Sequence, residues 1–327
     1  MDIAINGLGR IGRAILRLAL TTRGEGLRVR ALNDIAAPEL VAYLLEYDSI
    51  FGPFPGSVEV SEGALVINGQ AIPITRQSAP DGLDLAGVDV LLDCTGKANS
   101  RDWIEAALAA GAGRVLISGP TPAADLTVVL GANDAALAQQ PSVSNASCTT
   151  NAVAPLLKCL DEAFGIVSGH MTTIHCYTGS QPTVDAPRGD FARSRAAALS
   201  MIPTTTSAAA LIAEVLPGAG SRVTCHSVRV PSASVSAVDL VVETRAAVSV
   251  DQVNAMFRAR VGPILGVTER PLVSTDLRGR PESLVLALPE TDVSGGLLRV
   301  FGWYDNEWGF SNRMLDMAMR MAQPVTV

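Results

Sequence analysis

The first thirty-four residues constrain the fold more than any other part of the chain. Residues 2–5, which are apolar after Asp2, predict a buried strand. Gly7, Gly9 and Gly12 follow it with the spacing GxGxxG before a helical pattern begins. In such a unit the first glycine permits a tight turn and the second lets a pyrophosphate approach the backbone. The third allows close packing of helix on strand. The sequence therefore predicts a doubly wound, dinucleotide-binding domain.

A carboxylate follows at the position expected for ribose recognition. The next predicted strand, residues 27–32, leads to Asp34, which follows Gly12 by about 20 residues. A single GxGxxG is often only a glycine turn, but strand, glycines, helix and acid together favour a cofactor site. Because a carboxylate there binds a ribose 2′-hydroxyl and repels a 2′-phosphate, NAD is predicted in preference to NADP.

More βα units continue this half of the chain. Loops at the predicted strand ends, Thr95-Gly96 and Ser118-Gly119, lie where ligands bind in doubly wound sheets. Alternating apolar and polar residues over 56–74 predict a β-hairpin that interrupts the pattern. The other elements predicted here are strands over 88–93, 114–117 and 127–130, a helix over 101–110 and a short helix over 134–138.

Composition excludes several classes of function. The net charge of −7 argues against a nucleic-acid surface, which needs clustered Lys and Arg. No apolar run is long enough to span a membrane, and no signal peptide is expected. Five cysteines without CxxC spacing and three scattered histidines predict no metal site, and they suit a reducing cytoplasm.

A cysteine opens the helix that follows residues 141–143, a short predicted strand. Cys148 precedes an apolar stripe at Val153, Leu156 and Leu157, so it stands in the first helical turn. Unpaired backbone N–H groups and the positive end of the helix dipole favour a thiolate there, which predicts a lowered thiol pKa. A lone cysteine is more often a small buried residue, but this helix position is the one that activates thiols.

The second half changes to longer amphipathic strands. His175 lies near the end of the predicted strand 168–177, and alternation places it and its neighbour Cys176 on opposite faces. If His175 faces the site, Cys176 packs in the core. A long polar loop over 179–206 then carries several arginines beside threonines, which indicates a functional loop. An activated thiol, a histidine, an NAD fold and these cationic groups together suggest oxidation of a phosphorylated aldehyde through a covalent thioester.

Nearly the whole chain resembles the phosphorylating glyceraldehyde-3-phosphate dehydrogenases. The resemblance is carried by NGLGRIGR, SNASCTTN, the spaced segment IH-Y-T-Q, RAAALSMIPTTT, RVP and WYDNEWGFSN, in that order. It implies an α/β fold, with a Rossmann-type NAD-binding domain and an α+β catalytic domain built on a mixed, mainly antiparallel sheet. It also implies a homotetramer that acts on a small phosphorylated aldehyde and inorganic phosphate. The expected domains are 1–147, onto which a helix at about 311–327 packs back, and 148–310.

The resemblance also implies a role for each matching residue. It makes Cys148 the nucleophile and His175 the base. The substrate phosphate is expected at Thr178, Ser180 and Arg229, and the attacking phosphate at Ser147, Thr149, Arg193, Thr206 and the neighbouring Ser207. The expected cofactor contacts are Asn6, Gly7, Gly9, Arg10, Ile11, Gly12, Asp34, Arg76, Thr95, Gly96, Ser118 and Asn306.

Several positions depart from the usual pattern of this family. Ser207 replaces a glycine, Ala210 replaces a lysine, and Phe310 replaces a tyrosine. Losing the glycine and the lysine near the second anion site favours erythrose-4-phosphate dehydrogenase, which uses water as acyl acceptor. Keeping Thr206 and Arg193 favours the phosphate user. A non-catalytic binding protein on the same fold is a more distant alternative, because Cys148 and His175 are both present.

We expect Asp34→Ala to reduce the preference for NAD over NADP. Removing the carboxylate deletes a charged hydrogen bond to the ribose, which weakens NAD by about tenfold, and removes the repulsion of a 2′-phosphate. The measurement is kcat/KM for each cofactor in both proteins. An unchanged ratio would show that Asp34 does not contact the ribose.

Overall fold

The computed structural model describes residues 1–323, and the chain divides into two compact units. The first comprises residues 1–128, 134–146 and 311 onward, and the second comprises 129–133 and 147–310. The expected division after residue 147 differs from this one by a residue. It also did not anticipate that 129–133 joins the second unit, where Lys158 Nζ donates to the carbonyl oxygen of Ala132 at 3.0 Å. Residues 324–327 of the expected C-terminal segment lie outside the described range.

The first unit is built on a nine-stranded sheet with the order β10-β11-β9-β8-β1-β2-β7-β6-β5. Pairing is parallel from β10 to β7, and antiparallel between β7, β6 and β5. Its elements are β1 (Asp2–Asn6), α1 (Arg10–Leu20), β2 (Arg28–Asn33), α2 (Pro38–Glu46), β3 (Tyr47–Asp48), β4 (Gly52–Pro53), β5 (Val58–Ser61), β6 (Ala64–Ile67), β7 (Gln70–Thr75), β8 (Val88–Asp93), α3 (Arg101–Ala109), β9 (Ala112–Ile117), β10 (Leu126–Thr127) and β11 (Ser142–Ser144).

The glycine turn lies at the carboxyl end of β1, where the strand order reverses between β2 and β8. Such a switch point is the usual ligand site of a doubly wound sheet. Gly7 has φ +91°, which side-chain-bearing residues rarely adopt. A Cβ on Gly12 would lie 1.9 Å from the carbonyl oxygen of Gly7, whereas a Cβ on Gly9 would meet no atom within 4 Å. The predicted division of roles among the three glycines therefore agrees with their surroundings.

Two local predictions needed correction. Residues 56–74 form parts of a three-stranded antiparallel meander, not a single hairpin, and its second turn uses Asn68 (φ 51°) and Gly69 (φ 79°). The strand predicted over 127–130 is only the short β10, because the chain turns after Val128, where Ala132 N donates to the carbonyl oxygen of Val129. Helix α2 was missed, since its exposed Leu40 and Tyr43 blur the apolar stripe.

The second unit has one mixed sheet with the order β13-β14-β12-β15-β19-β17-β16, and β18 pairs with β19. Antiparallel pairs predominate in it, and β12–β14 and β16–β17 are parallel. Its elements are α4 (Cys148–Phe164), β12 (Ile166–Cys176), β13 (Ile202–Thr204), α5 (Ala208–Val215), α6 (Pro217–Gly220), β14 (Val223–Val230), β15 (Ser236–Thr244), α7 (Val250–Arg258), β16 (Leu265–Thr268), β17 (Leu284–Ala287), β18 (Asp292–Ser294) and β19 (Leu297–Tyr304).

Helix α4 anchors the core of the second unit. Val153, Leu156, Leu157 and Leu160 are buried among side chains of the sheet, as the apolar stripe predicts. Fully burying a Leu or Val side chain stabilises a protein by about 1.5–3 kcal/mol, so this face holds the first turn of the helix in place. The position of Cys148 therefore depends on packing along the whole helix.

The last helix, α8 (Trp308–Ala322), joins the first unit through charged contacts. Arg23 Nη1 donates to Asn312 Oδ1 at 3.0 Å, and Arg23 Nη2 pairs with Asp316. Arg320 pairs with Asp134. Within residues 1–323, the helices are all too short or too polar to span a bilayer.

We expect Gly12→Ala to destabilise the protein and Gly9→Ala to leave its stability nearly unchanged. The added Cβ at Gly12 collides with rigid backbone, an overpacking that costs about 3 kcal/mol or more. Gly9 has φ −66° and open space around it. Calorimetry without cofactor should show the melting transition lowered by about 5 °C or more for Gly12→Ala, and by under about 2 °C for Gly9→Ala. Equal shifts would contradict the packing role of Gly12.

Candidate active site

Cys148 is the first residue of α4, as predicted from the sequence. Ser147 caps the helix, because its Oγ accepts a hydrogen bond from the backbone N–H of Thr150 at 3.1 Å. Ala146, just before the cap, has φ 54°, a conformation that costs a residue other than glycine about 1–2 kcal/mol. Backbone strain of this kind is concentrated at functional sites.

The sulfur of Cys148 faces the imidazole of His175. The distance from Cys148 Sγ to His175 Nε2 is 3.7 Å, and His175 is buried at the end of β12. Its neighbour Cys176 points the other way and donates from Sγ to Asn306 Oδ1 at 3.0 Å. The alternation predicted for these two residues is therefore observed.

The backbone determines which ring nitrogen of His175 carries the proton. His175 Nδ1 lies 2.7 Å from the carbonyl oxygen of Cys176, and a carbonyl oxygen can only accept, so Nδ1 is the donor. Arg229 Nη1, which can only donate, lies 3.0 Å from Nδ1 and 2.9 Å from the same carbonyl oxygen. We assign the Nδ1 proton to the carbonyl contact because it is the shorter of the two contacts that Nδ1 makes, and the oxygen can also accept from Arg229. The unprotonated Nε2 therefore points its lone pair at Cys148 Sγ, where it can receive the thiol proton.

Burial and charge keep this pair neutral. Burial, and then the charge of Arg229, lower the pKa of His175 to about 4. Burial raises the pKa of the Cys148 thiol, and the charge of Arg229 and hydrogen bonds from Thr149 only partly oppose it. The lowered thiol pKa predicted from the helix terminus is thus wrong, because desolvation outweighs the dipole. The resting pair is a thiol beside a neutral imidazole.

Thr178, Ser180 and Arg229, which are expected to bind the substrate phosphate, form a first group near His175. Thr178 Oγ1 and Ser180 Oγ are 2.9 Å apart, and Arg229 Nη1 lies 3.5 Å from Thr178 Oγ1. One guanidinium and two hydroxyls suit a phosphate group, since charge-assisted hydrogen bonds to phosphate oxygens are strong. The structure thus brings together Cys148, His175, Thr178, Ser180 and Arg229.

A second group is held on the neighbouring strand. β13 pairs with β14 so that Ile202 lies opposite Arg229, and Thr204 follows two residues later. Arg193 Nε donates to Thr204 Oγ1 at 2.5 Å, and its Nη2 donates to the carbonyl oxygen of Thr205 at 3.0 Å. The long loop over 179–206 is therefore held at its end by the pairing of β13 with β14 and by the hydrogen bonds of Arg193.

The other residues expected at the second anion site have internal partners. Thr206 Oγ1 accepts from the N–H of Ala208, the first residue of α5, at 3.1 Å, while Ser207 between them is exposed. Thr149 is buried, and its hydroxyl lies 2.9 Å from the hydroxyl of Tyr304. Ser147 Oγ lies 2.7 Å from Thr150 Oγ1. Their joint assignment to an attacking phosphate therefore stays a prediction.

Sequence reasoning missed a buried chain of hydroxyls behind the nucleophile. Tyr304 OH lies 2.7 Å from Thr173 Oγ1 as well as 2.9 Å from Thr149 Oγ1, and Thr149 is the neighbour of Cys148. The Tyr304 ring also meets His175 edge to face, with centroids 6.0 Å apart. Burial raises the pKa of Tyr304, so its hydroxyl stays protonated. The motif WYDN contained this residue, but only the fold placed it against His175 and Thr149.

A cavity of about 240 Å³ in the first unit lies at the glycine turn, where the dinucleotide is expected. It is bordered by Gly7, Gly9, Asp34 and Thr95 among others. Asp34 accepts hydrogen bonds from the N–H groups of Leu8 at 2.6 Å and Ala36 at 2.8 Å, which holds its carboxylate at the rim with lone pairs left for ribose hydroxyls. Exposed Gly9 leaves room for a pyrophosphate at the start of α1.

The remaining expected cofactor residues are placed as follows. The Arg10 side chain pairs with Asp48, so what Arg10 and Ile11 offer a phosphate is backbone N–H at the start of α1. Arg76 donates to the carbonyl oxygen of Ile35 at the cavity rim, and Thr95 Oγ1 donates to Asp93 at 2.6 Å. Asn6 also bonds Asp93, Gly96 has φ 69°, and Ser118 N donates to the Asp93 carbonyl. Asn306 belongs to the second unit.

Comparison with known proteins agrees with these features. A family model described as the glyceraldehyde 3-phosphate dehydrogenase NAD binding domain matches residues 1–101, and one described as the C-terminal domain of the same enzyme matches 147–306. The glyceraldehyde-3-phosphate dehydrogenase of Xanthobacter flavus is 46% identical, with 99% of both chains covered. Enzymes of the same name from Cereibacter sphaeroides and Pseudomonas aeruginosa are 45% and 46% identical, each with 98% of both chains covered.

The low pKa of His175 predicts a loss of stability in mild acid. Below the unfolded pKa of 6.5 the unfolded chain binds a proton that the folded chain refuses until about pH 4. The free energy of unfolding is thus unaffected by this group above about pH 6.5, and it falls by about 3 kcal/mol as the pH drops to 4. Urea unfolding at several pH values measures it. His175→Asn should lose this slope, and the exposed control His226→Asn should keep it; equal slopes would contradict the prediction.

Proposed function

Because the chain belongs to the glyceraldehyde-3-phosphate dehydrogenase family and is an NAD-dependent dehydrogenase, we propose that it oxidises glyceraldehyde 3-phosphate and adds inorganic phosphate, giving 1,3-bisphosphoglycerate. The observation that carries the proposal is the approach of Cys148 Sγ to the lone pair of His175 Nε2, with Arg229 and Thr178 beside it. A nucleophile, a base and an anion site are the three parts that such a reaction needs.

Formation of the covalent intermediate uses the neutral pair. As Cys148 Sγ bonds to the aldehyde carbon, the thiol proton passes to His175 Nε2, and the imidazolium then gives that proton to the former carbonyl oxygen. The product of this step is a thiohemiacetal on Cys148. Arg229 disfavours a lasting positive charge on His175, which suits a proton that is held only briefly.

Oxidation and acyl transfer follow on the same two residues. NAD, when bound, supplies the acceptor for the hydride that leaves the thiohemiacetal carbon. His175 Nε2 takes the hydroxyl proton as the carbonyl re-forms, which leaves a thioester on Cys148. Attack by a phosphate oxygen on the thioester carbon breaks the C–S bond, and His175 returns its proton to the sulfur.

The anion groups are proposed to orient the two phosphates. Thr178, Ser180 and Arg229 would hold the phosphate ester of the substrate next to His175. We assign the attacking phosphate to the second anion site expected from the sequence, which comprises Ser147, Thr149, Arg193, Thr206 and Ser207. The homotetrameric assembly, the division into domains at 147/148, the set of cofactor contacts and a cytoplasmic location remain predictions that the family membership supports.

A second candidate function is oxidation of erythrose 4-phosphate with water as acyl acceptor. Ser207 and Ala210 are both exposed near the second anion group, where the family usually has glycine and lysine. A missing positive charge and an added Cβ would weaken phosphate binding there. A non-catalytic binding protein is disfavoured because the Cys148–His175 pair is intact.

Paired steady-state assays test the choice. We expect NADH formation from glyceraldehyde 3-phosphate to rise at least tenfold when phosphate is added, because phosphate is the better nucleophile toward the thioester in a site with an anion pocket. The same assay is run with erythrose 4-phosphate. If the rate on glyceraldehyde 3-phosphate does not depend on phosphate, the phosphorylating reaction is excluded. A kcat/KM that is higher for erythrose 4-phosphate than for glyceraldehyde 3-phosphate would establish the second candidate function.

A matched pair of cysteine variants provides the control for covalent catalysis. Cys148→Ala should abolish turnover and keep NAD binding, since all the expected dinucleotide residues except Asn306 lie in the other unit. Cys159→Ala, in the same helix but further along it, should keep turnover. Undiminished activity of Cys148→Ala would end the covalent mechanism.

A further inference from the structure

Trp103 borders the same cavity as the glycine turn and Asp34, although no sequence motif assigned it a function. It lies in the first turn of α3, and it is the single aromatic side chain among the residues that border this cavity. Part of the ring packs on the apolar cluster that contains Ala98 and Ile104, and the rest is open to the cavity. The indole ring therefore forms part of the cavity wall.

Hydrogen bonds hold this ring in one orientation. Its Nε1–H donates to Asp93 Oδ2 at 2.8 Å, and its backbone N–H is capped by Ser100 Oγ at 3.3 Å. Asp93 is fully buried and is itself bound by Asn6 Nδ2 at 3.0 Å and by Thr95 Oγ1 at 2.6 Å. A wall fixed at both ends loses little conformational entropy when a ligand packs on it.

The order of groups in a dinucleotide decides which part meets Trp103. The pyrophosphate is expected at the Gly7–Gly9 turn and the adenosine ribose at Asp34. Adenine is attached to that ribose on the side away from the pyrophosphate, so it is left with the remaining walls of the cavity, which include Ile35, Lys97 and Trp103. Among these, an indole ring is the best partner for a flat purine.

We propose that Trp103 contacts the adenine of NAD and sets how tightly the adenosine half of the cofactor binds. The proposal rests on the cofactor site described above and is independent of the chemistry at Cys148. In this proposal the indole ring of Trp103 packs on adenine, while its N–H group donates to Asp93 and fixes the orientation of the ring.

The test uses ADP-ribose, which carries the adenosine half without nicotinamide. In a Trp303→Phe/Trp308→Phe background, Trp103 is the one remaining tryptophan of the three in the chain. We expect ADP-ribose to change its fluorescence saturably, with the same Kd that calorimetry gives. Trp103→Leu should weaken ADP-ribose about tenfold, and Trp103→Phe, which keeps a ring, less than about threefold.

Two further variants separate contact from folding. Trp303→Leu, in the second unit, should leave the Kd unchanged, and circular dichroism checks that each variant is folded. A wild-type Kd in folded Trp103→Leu, or Trp103 fluorescence indifferent to saturating ADP-ribose, would overturn the proposal. Failure of the unaltered protein to bind ADP-ribose would overturn it together with the cofactor site. Loss of the phosphate effect with ADP-ribose binding intact would instead count against the proposed reaction alone.

Discussion

The carbonyl oxygen of Cys176 is the constraint on which the active site depends. By accepting from His175 Nδ1 at 2.7 Å it places the ring proton away from the sulfur and leaves Nε2 as a base facing Cys148. The same oxygen accepts from Arg229, which also lies next to Thr178. One backbone carbonyl thus positions both His175 and Arg229, and through Arg229 it also affects Thr178. It can do so because β12 and β14 are parallel neighbours with His175 opposite Arg229.

Burial, more than the helix dipole, determines the resting protonation of the Cys148–His175 pair. A cysteine at a helix N-terminus in water would favour the thiolate. Here desolvation raises the pKa of Cys148 and lowers that of His175, so the proton rests on sulfur. A neutral resting pair protects the sulfur from oxidants, which attack thiolates. Tyr304 contacts both sides of this pair, because its hydroxyl lies beside that of Thr149, the neighbour of Cys148, and its ring meets His175 edge to face.

The first unit repeats this design with a buried carboxylate. Asp93 connects Asn6 on the central strand, Thr95 in the next loop and Trp103 on α3, so three separate chain segments share one acceptor. Asp34 similarly ties its own loop to the glycine turn through Leu8. Both carboxylates organise backbone and side chains around the cavity before a dinucleotide is present, which lowers the entropy that binding must overcome.

What the sequence alone determined was local. The glycine spacing, the acid at Asp34, the stripe that starts α4 at Cys148 and the alternation at His175 and Cys176 follow from backbone geometry within a few residues, and the structure has each of them. What only the tertiary structure decided were quantities that depend on distant neighbours: the tautomer of His175, the raised thiol pKa, the internal partners of Thr149 and Thr206, the grouping of 129–133 and the bond between Trp103 and Asp93. Burial and hydrogen bonding between remote segments leave no periodic signal in the chain, because they arise only when the segments pack together.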